Sequence, residues 1–72
     1  MIEVPENYKG TAYVSPVGGS EVLGLERSTF YRRVMPHVYS GTIESLKIGA
    51  CRRIRLSSLL AWAERQEQRS AA

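Results

Sequence analysis

The chain is punctuated at short intervals, at Ser15-Pro16, Gly24, Pro36 and Gly49. No long helix or long strand fits between the first and last of these marks. Ser15-Pro16 has the form of a helix start. Ser serves as N-cap, and Pro occupies the first helical position, where its missing N–H costs nothing. The helix this predicts covers Pro16 to Leu23, with Gly24 suited to the left-handed stop. Gly18 and Gly19 each cost about 1 kcal/mol against Ala inside a helix. Either they permit close packing against the next helix, or the helix starts after them.

A second helix fits Arg27 to Met35. Glu26 precedes it, well placed for the helix dipole but a weak N-cap. Pro36 ends it, because Pro drives the preceding residue out of helical geometry. Phe30 and Val34 share a face, with Leu25 able to pack nearby, while Ser28, Thr29, Arg32 and Arg33 fall on the opposite arc. Residues 37–41 read as a connector.

Residues 43–48 and 52–56 alternate, with Ile43, Leu46, Ile48, Ile54 and Leu56 as the inward set, although strict period two is imperfect around Ile43. Gly49-Ala50 between them is a hairpin turn. Arg53 and Arg55 alternate away from Ile54, so the hairpin is expected to be apolar on one face and cationic on the other. Ser57 or Ser58 caps a last helix over about residues 58–69. Leu56, Leu59, Leu60 and Ala63 follow i, i+3, i+4, i+7, and Trp62 lies near the edge of that stripe as a core anchor. Leu60 becomes a subunit-contact candidate if Leu59 faces inward. The expected organisation is an arm over 1–12, one α+β domain over 13–69 and a frayed tail over 70–72. The arm is either disordered or packed on a neighbouring subunit.

Charge is distributed unevenly over these elements. Residues 27–55 carry seven basic side chains and one acid, a net +6, whereas residues 1–26 are net −3 and residues 56–72 are neutral. Eight of the ten basic residues are Arg, whose planar fork of donors matches phosphates and guanine edges. Nucleic acid is therefore the leading partner class, ahead of an anionic membrane surface. One cysteine, Cys51, and one histidine, His37, exclude an internal disulfide and a Cys/His zinc site. Cys51 reads as an incidental thiol and His37 as a connector residue. No apolar run approaches membrane-spanning length, and no signal segment opens the chain, so the cytosol is the expected location. The sequence has no Asp and no grouping of Glu, Ser, His37 and Cys51 that suits catalysis. The expectation is a non-enzyme without cofactor or metal.

Two surfaces are the candidate DNA contacts. On the second helix, Glu26, Arg27, Ser28, Thr29, Arg32 and Arg33 would approach bases and phosphates in a major groove, with Tyr31 offering its hydroxyl to a phosphate. On the hairpin, Lys47, Arg52 and Arg53 flank Gly49 and Ala50, where the backbone can come close to a minor groove. Arg55 is far from the tip. The competing readings are a solvated basic face with Tyr31 at the core edge, and an edge hairpin protected from aggregation by its charge.

The order helix, turn, helix, hairpin, helix is that of a small winged helix-turn-helix. The segment VSPVGGSEVLGLERSTFYRRV resembles the opening of excisionase-like and MerR-like DNA-binding domains, and LKIGACRRIRLSSLLAW resembles their wing and last helix. The resemblance covers about residues 13–65. The chain departs from the pattern at Glu26, where the family has Ser, and at Gly19 and Ser20, where it has small alanines. Arg33 stands at an apolar position, and the connector is Met35 to Tyr39 instead of a short Gly-containing link.

The resemblance implies a phage excisionase, a recombination directionality factor. Such proteins bind attachment-site DNA as several copies side by side, bend it and help an integrase excise the prophage without cutting DNA themselves. Head-to-tail contact between neighbouring copies, and partnership with a phage integrase, are implied with it. The chain length favours this over a full MerR-type regulator. A small transcription regulator of the same fold and a protein-interaction module using the basic face are the alternatives.

Overall fold

A computed structural model of the chain describes residues 4–71, with side chains described to residue 67. It is an α+β arrangement with a three-stranded antiparallel sheet. In chain order the elements are β1 (Tyr13–Val14), α1 (Pro16–Leu23), α2 (Arg27–Arg33), α3 (Met35–Tyr39), β2 (Ser45–Ile48), β3 (Cys51–Arg55) and α4 (Leu56–Ala71). A single 3-10 turn at Glu6–Tyr8 precedes them. The sheet order is β1-β3-β2. No helix among the described residues is long and apolar enough to cross a membrane.

The first helix begins and ends where its local chemistry requires. Ser15 Oγ accepts the Gly18 N–H at 3.1 Å, and Pro16 stands in the first turn. Gly24 sits at φ +68. The Leu25 N–H returns to the Ser20 carbonyl at 2.9 Å and the Gly24 N–H to the Glu21 carbonyl at 3.2 Å, the paired bonds of a Schellman stop. Both interior glycines are covered, Gly19 by Phe30 and Gly18 by Tyr8 and Val14. The helix therefore starts before them, and they allow its neighbours to close in.

The second helix is shorter than its sequence pattern suggests. It stops at Arg33, and Val34, at φ −102 and ψ −43, caps both its end and the start of α3. Pro36 does interrupt the path of α2, but it also occupies the first turn of α3, where a missing N–H is harmless. Residues 37–39, expected in a connector, are thus helical, and Val38 is buried. The true bend is residues 40–44, closed by the Ile43 N–H donating to the His37 carbonyl at 3.1 Å.

One core lies between the helices and the inner face of the sheet. Phe30, Ile43, Ile54 and Leu59 are fully buried, joined by Val14, Val22, Val34, Met35, Val38, Leu56, Trp62 and Ala63. Burying a Phe or Leu side chain fully contributes about 1.5–3 kcal/mol, so this cluster supplies most of what a chain of this size has to hold it together. Trp62 also meets His37, with ring centroids 5.0 Å apart, which ties α3 to α4. Leu25, expected to pack near Phe30, is exposed.

Two expectations about the C-terminal half are corrected. The last helix does not wait for a serine cap: β3 runs directly into α4 at Leu56, whose N–H donates to the Ala12 carbonyl at 2.9 Å. Ser58 Oγ instead accepts the Glu44 N–H at 2.9 Å, bridging α4 to the approach of β2. The helix also runs to Ala71, beyond the expected bound of residue 69, and Ala72 lies outside the described residues. The described part of the arm, residues 4–12, packs on its own chain. Tyr8 and Leu60 are half-buried against the core, and the Tyr8 hydroxyl donates to Glu21 Oε2. Residues 1–3 lie outside the described residues.

Candidate nucleic-acid interface

Position within α2 decides which of its side chains are available. Phe30 faces the core, so Arg27, Ser28, Tyr31, Arg32 and Arg33 are left exposed, and Thr29 is half-buried. Glu26, the residue at the N-cap, is exposed and makes no side-chain capping bond. Tyr31 is 46% exposed and stands edge-on to Phe30, the ring centroids lying 6.4 Å apart at 85°. Its hydroxyl is therefore available outside the core.

The hairpin is built on strict pairing. Ser45 faces Ile54, Leu46 faces Arg53, Lys47 faces Arg52 and Ile48 faces Cys51. Gly49 at φ +59, followed by Ala50 without positive φ, is the pattern of a two-residue type II′ turn, which needs Gly first. Opposed residues share a face. Ser45, Lys47, Arg52 and Ile54 therefore lie on the inner face, and Leu46, Ile48, Cys51, Arg53 and Arg55 on the outer one. Leu46 and Ile48, expected inward, are 47% and 66% exposed. The register pairs Ser45, not Leu46, with the buried Ile54, which turns Leu46 and Ile48 to the face away from the core. The expected division into an apolar and a cationic face is replaced by an outer face on which apolar and basic side chains alternate.

The start of α1 at Pro16, the two following helices and the hairpin meet at one open cleft. Tyr31 of α2, Met35 and Tyr39 of α3, and Ala50, Arg52 and Arg53 of the hairpin line it. Arg27, Arg32 and Arg33 do not line the cleft, and are exposed on α2. Among the described residues, Arg27, Arg32, Arg33, Lys47 and Arg53 make no salt bridge to a carboxylate. Arg55 differs, because its Nη1 lies 3.0 Å from Glu44 Oε2. Arg52 differs also. It is half-buried, donates from Nη1 to Ser45 Oγ at 3.0 Å, and holds its guanidinium carbon 5.0 Å from the centroid of the Tyr39 ring. Sequence reasoning placed Arg52 with the free cations, and missed Tyr39 as a member of the site.

A second depression, between the arm and the start of α4, is lined by Val4, Tyr8, Ala12, Leu56, Leu60 and Arg55. It offers little to an anion. Lys9 and Arg55, its two cations, are held by Glu6 and Glu44. Glu21 holds the Tyr8 phenol above its ordinary pKa, first through their hydrogen bond and then through burial and the carboxylate charge. Among the described residues no group of His, Cys and Glu side chains is placed to hold a metal ion.

No family model, curated protein or solved structure matches the chain.

Proposed function

We propose that the chain is a duplex-DNA-binding protein of the winged helix-turn-helix type, with α2 entering the major groove and the β2–β3 hairpin acting as the wing on the flanking minor groove. One observation carries the reading. Five cations without carboxylate partners among the described residues stand on α2 and the hairpin, and both elements line one cleft. A duplex offers phosphates on both sides of a groove, which a pair of cationic elements can grip together. Arg27, Arg32 and Arg33 would contact phosphates and base edges from α2, with Ser28, Thr29 and Tyr31 as neutral donors. Lys47 and Arg53 would neutralise phosphates beside the hairpin, whose Gly49-Ala50 tip is narrow enough to approach the groove floor.

Within that class we assign the role of an excisionase acting in the cytoplasm of a bacterial host. Several copies would lie head to tail on attachment-site DNA and bend it for a phage integrase. The support is the resemblance of VSPVGGSEVLGLERSTFYRRV and LKIGACRRIRLSSLLAW to excisionase-like domains. Footprinting on attachment-site DNA, with and without integrase, is the test. Protection of phased repeats, together with excision that depends on the protein, is the expected result. A single palindromic promoter footprint would reassign the chain to transcription regulation. Absence of any duplex binding at about 100 mM salt, where phosphate contacts still contribute strongly, would overturn the DNA-binding reading itself.

A further inference from the structure

We propose that Arg52 is a positioning residue and not a phosphate ligand: clasped between Tyr39 and Ser45, it fixes the angle at which the hairpin stands against α2 and α3. Its consequence for binding rests on the DNA-binding reading above; the clasp itself is a property of the free chain.

The register supplies the first argument. Arg52 lies directly opposite Lys47 on the inner face, and like charges so placed repel. Arg52 leaves that partner and leans to the diagonal residue Ser45, one pleat further from the tip, donating to its Oγ at 3.0 Å. Its guanidinium then lies over the ring of Tyr39, in the geometry of a cation–π contact. A side chain drawn back in this way is poorly placed to reach a phosphate beside the tip, whereas its neighbour Arg53 is exposed on the outer face and makes no such contact.

The second argument concerns what else holds the hairpin. The two residues of β1 pair only with Arg55 and Ile54, so the ladder from Leu46 to Arg53 has no third strand. Among the described residues of that stretch, Arg52 alone makes a side-chain hydrogen bond or a ring contact. Tyr39 ends α3, and α3 continues from α2 through the shared cap at Val34. Arg52 and Tyr39 both line each of two open depressions. The contact therefore links the two elements that would enter adjacent grooves, and holding them in register before binding reduces the ordering cost of association.

The test has two arms. In the free protein, the Arg52 Hδ protons are expected upfield of their usual position, shifted by the Tyr39 ring. The shift should survive Tyr39→Phe and vanish in Tyr39→Leu. Tyr39 is 63% exposed, so this substitution leaves the core intact. Arg52→Ala and Tyr39→Leu should each speed amide exchange in the hairpin by about three- to tenfold without changing exchange in α4. An unshifted Arg52, or unchanged exchange in the hairpin, overturns the clasp. In the DNA arm, Arg52→Ala should weaken binding by about three- to tenfold while the slope of log K against log salt stays at the wild-type value. Tyr39→Phe should bind as wild type, and Tyr39→Leu should match Arg52→Ala. A slope reduced by about one for Arg52→Ala would make it a phosphate contact and overturn the proposal. If wild type fails to bind DNA, the DNA reading falls alone, and the clasp is decided by the free protein.

Discussion

The ring of Phe30 occupies the place where a side chain on Gly19 would begin. A Cβ at position 19 would stand 2.8 Å from Phe30 Cζ and 3.3 Å from a Leu59 methyl, and both neighbours are fully buried. Neither can move without disturbing the rest of the core. This contact sets how closely α1 approaches α2, and so where the exposed face of α2 lies.

Gly19→Ala is therefore expected to destabilise, although it raises helix propensity. Overpacking costs about 1–3 kcal/mol and the propensity gain returns about 1 kcal/mol, a net loss of up to about 2 kcal/mol. Thermal unfolding followed by circular dichroism should show a Tm lower by up to about 15 °C. A raised Tm would mean that Phe30 has room the geometry does not show.

The cations on α2 and the hairpin should separate by their salt dependence. Arg32→Ala, Arg33→Ala and Arg53→Ala are each expected to weaken duplex binding and to reduce the slope of log K against log salt by about one. Arg55→Ala should leave the slope unchanged, because Glu44 already compensates its charge. Fluorescence anisotropy with a labelled duplex at several salt concentrations measures all four. Equal effects from Arg55 and Arg53 would show that unpaired charge does not mark the interface.

Ser58 joins two segments that are far apart in sequence. Ser58→Ala should remove the acceptor for the Glu44 N–H and cost about 0.5–1.5 kcal/mol. The Glu44 amide should then exchange faster than in wild type, while the Gly18 amide, held by Ser15, is unaffected. A loss spread evenly over the chain would show instead that the bond has no local role.

The contact between the arm and α1 carries a pH signature. Tyr8 has its pKa raised above the ordinary value of 10.0 by Glu21. The folded state thus favours the neutral phenol, and this stabilisation is fully present below about pH 10. It is lost as pH rises through the raised folded value. Wild type should therefore lose more stability than Tyr8→Phe between pH 9 and about pH 11, read as the difference in their Tm values. Parallel curves for the two proteins would remove the Tyr8–Glu21 bond from the account of arm docking.

The elements that could be read from sequence are those whose ends are decided locally. Ser15-Pro16 and Gly24 bound α1 through bonds within a few residues of each other, and Gly49 needs only its own backbone freedom. Pro36 was legible as an interruption. The helix that follows it depends on Val38 finding a place in the core, which is information carried by distant residues. The same limit applies to Leu46 and Ile48: alternation defines two faces, but which residues turn inward is set by the register that pairs Ser45 with the buried Ile54. In the candidate site, the exposure of the α2 cations followed from Phe30 and Val34 on the opposite arc. The role of Arg52 did not, since one Arg in a basic run looks like another until an aromatic ring from a separate helix is brought beside it.

The absence of any linking residue between Arg55 and Leu56 has a mechanical consequence. The hairpin strand and the Trp62 helix behave as one bent lever, with its elbow pinned by the Ala12 carbonyl. Force applied at the tip is delivered to the buried end of α4, with no loop to absorb it. Extra residues are therefore tolerated unequally: the exposed Gly41-Thr42 bend can lengthen with little effect, but one residue added at the elbow would rotate every side chain of α4 by about 100° relative to the sheet.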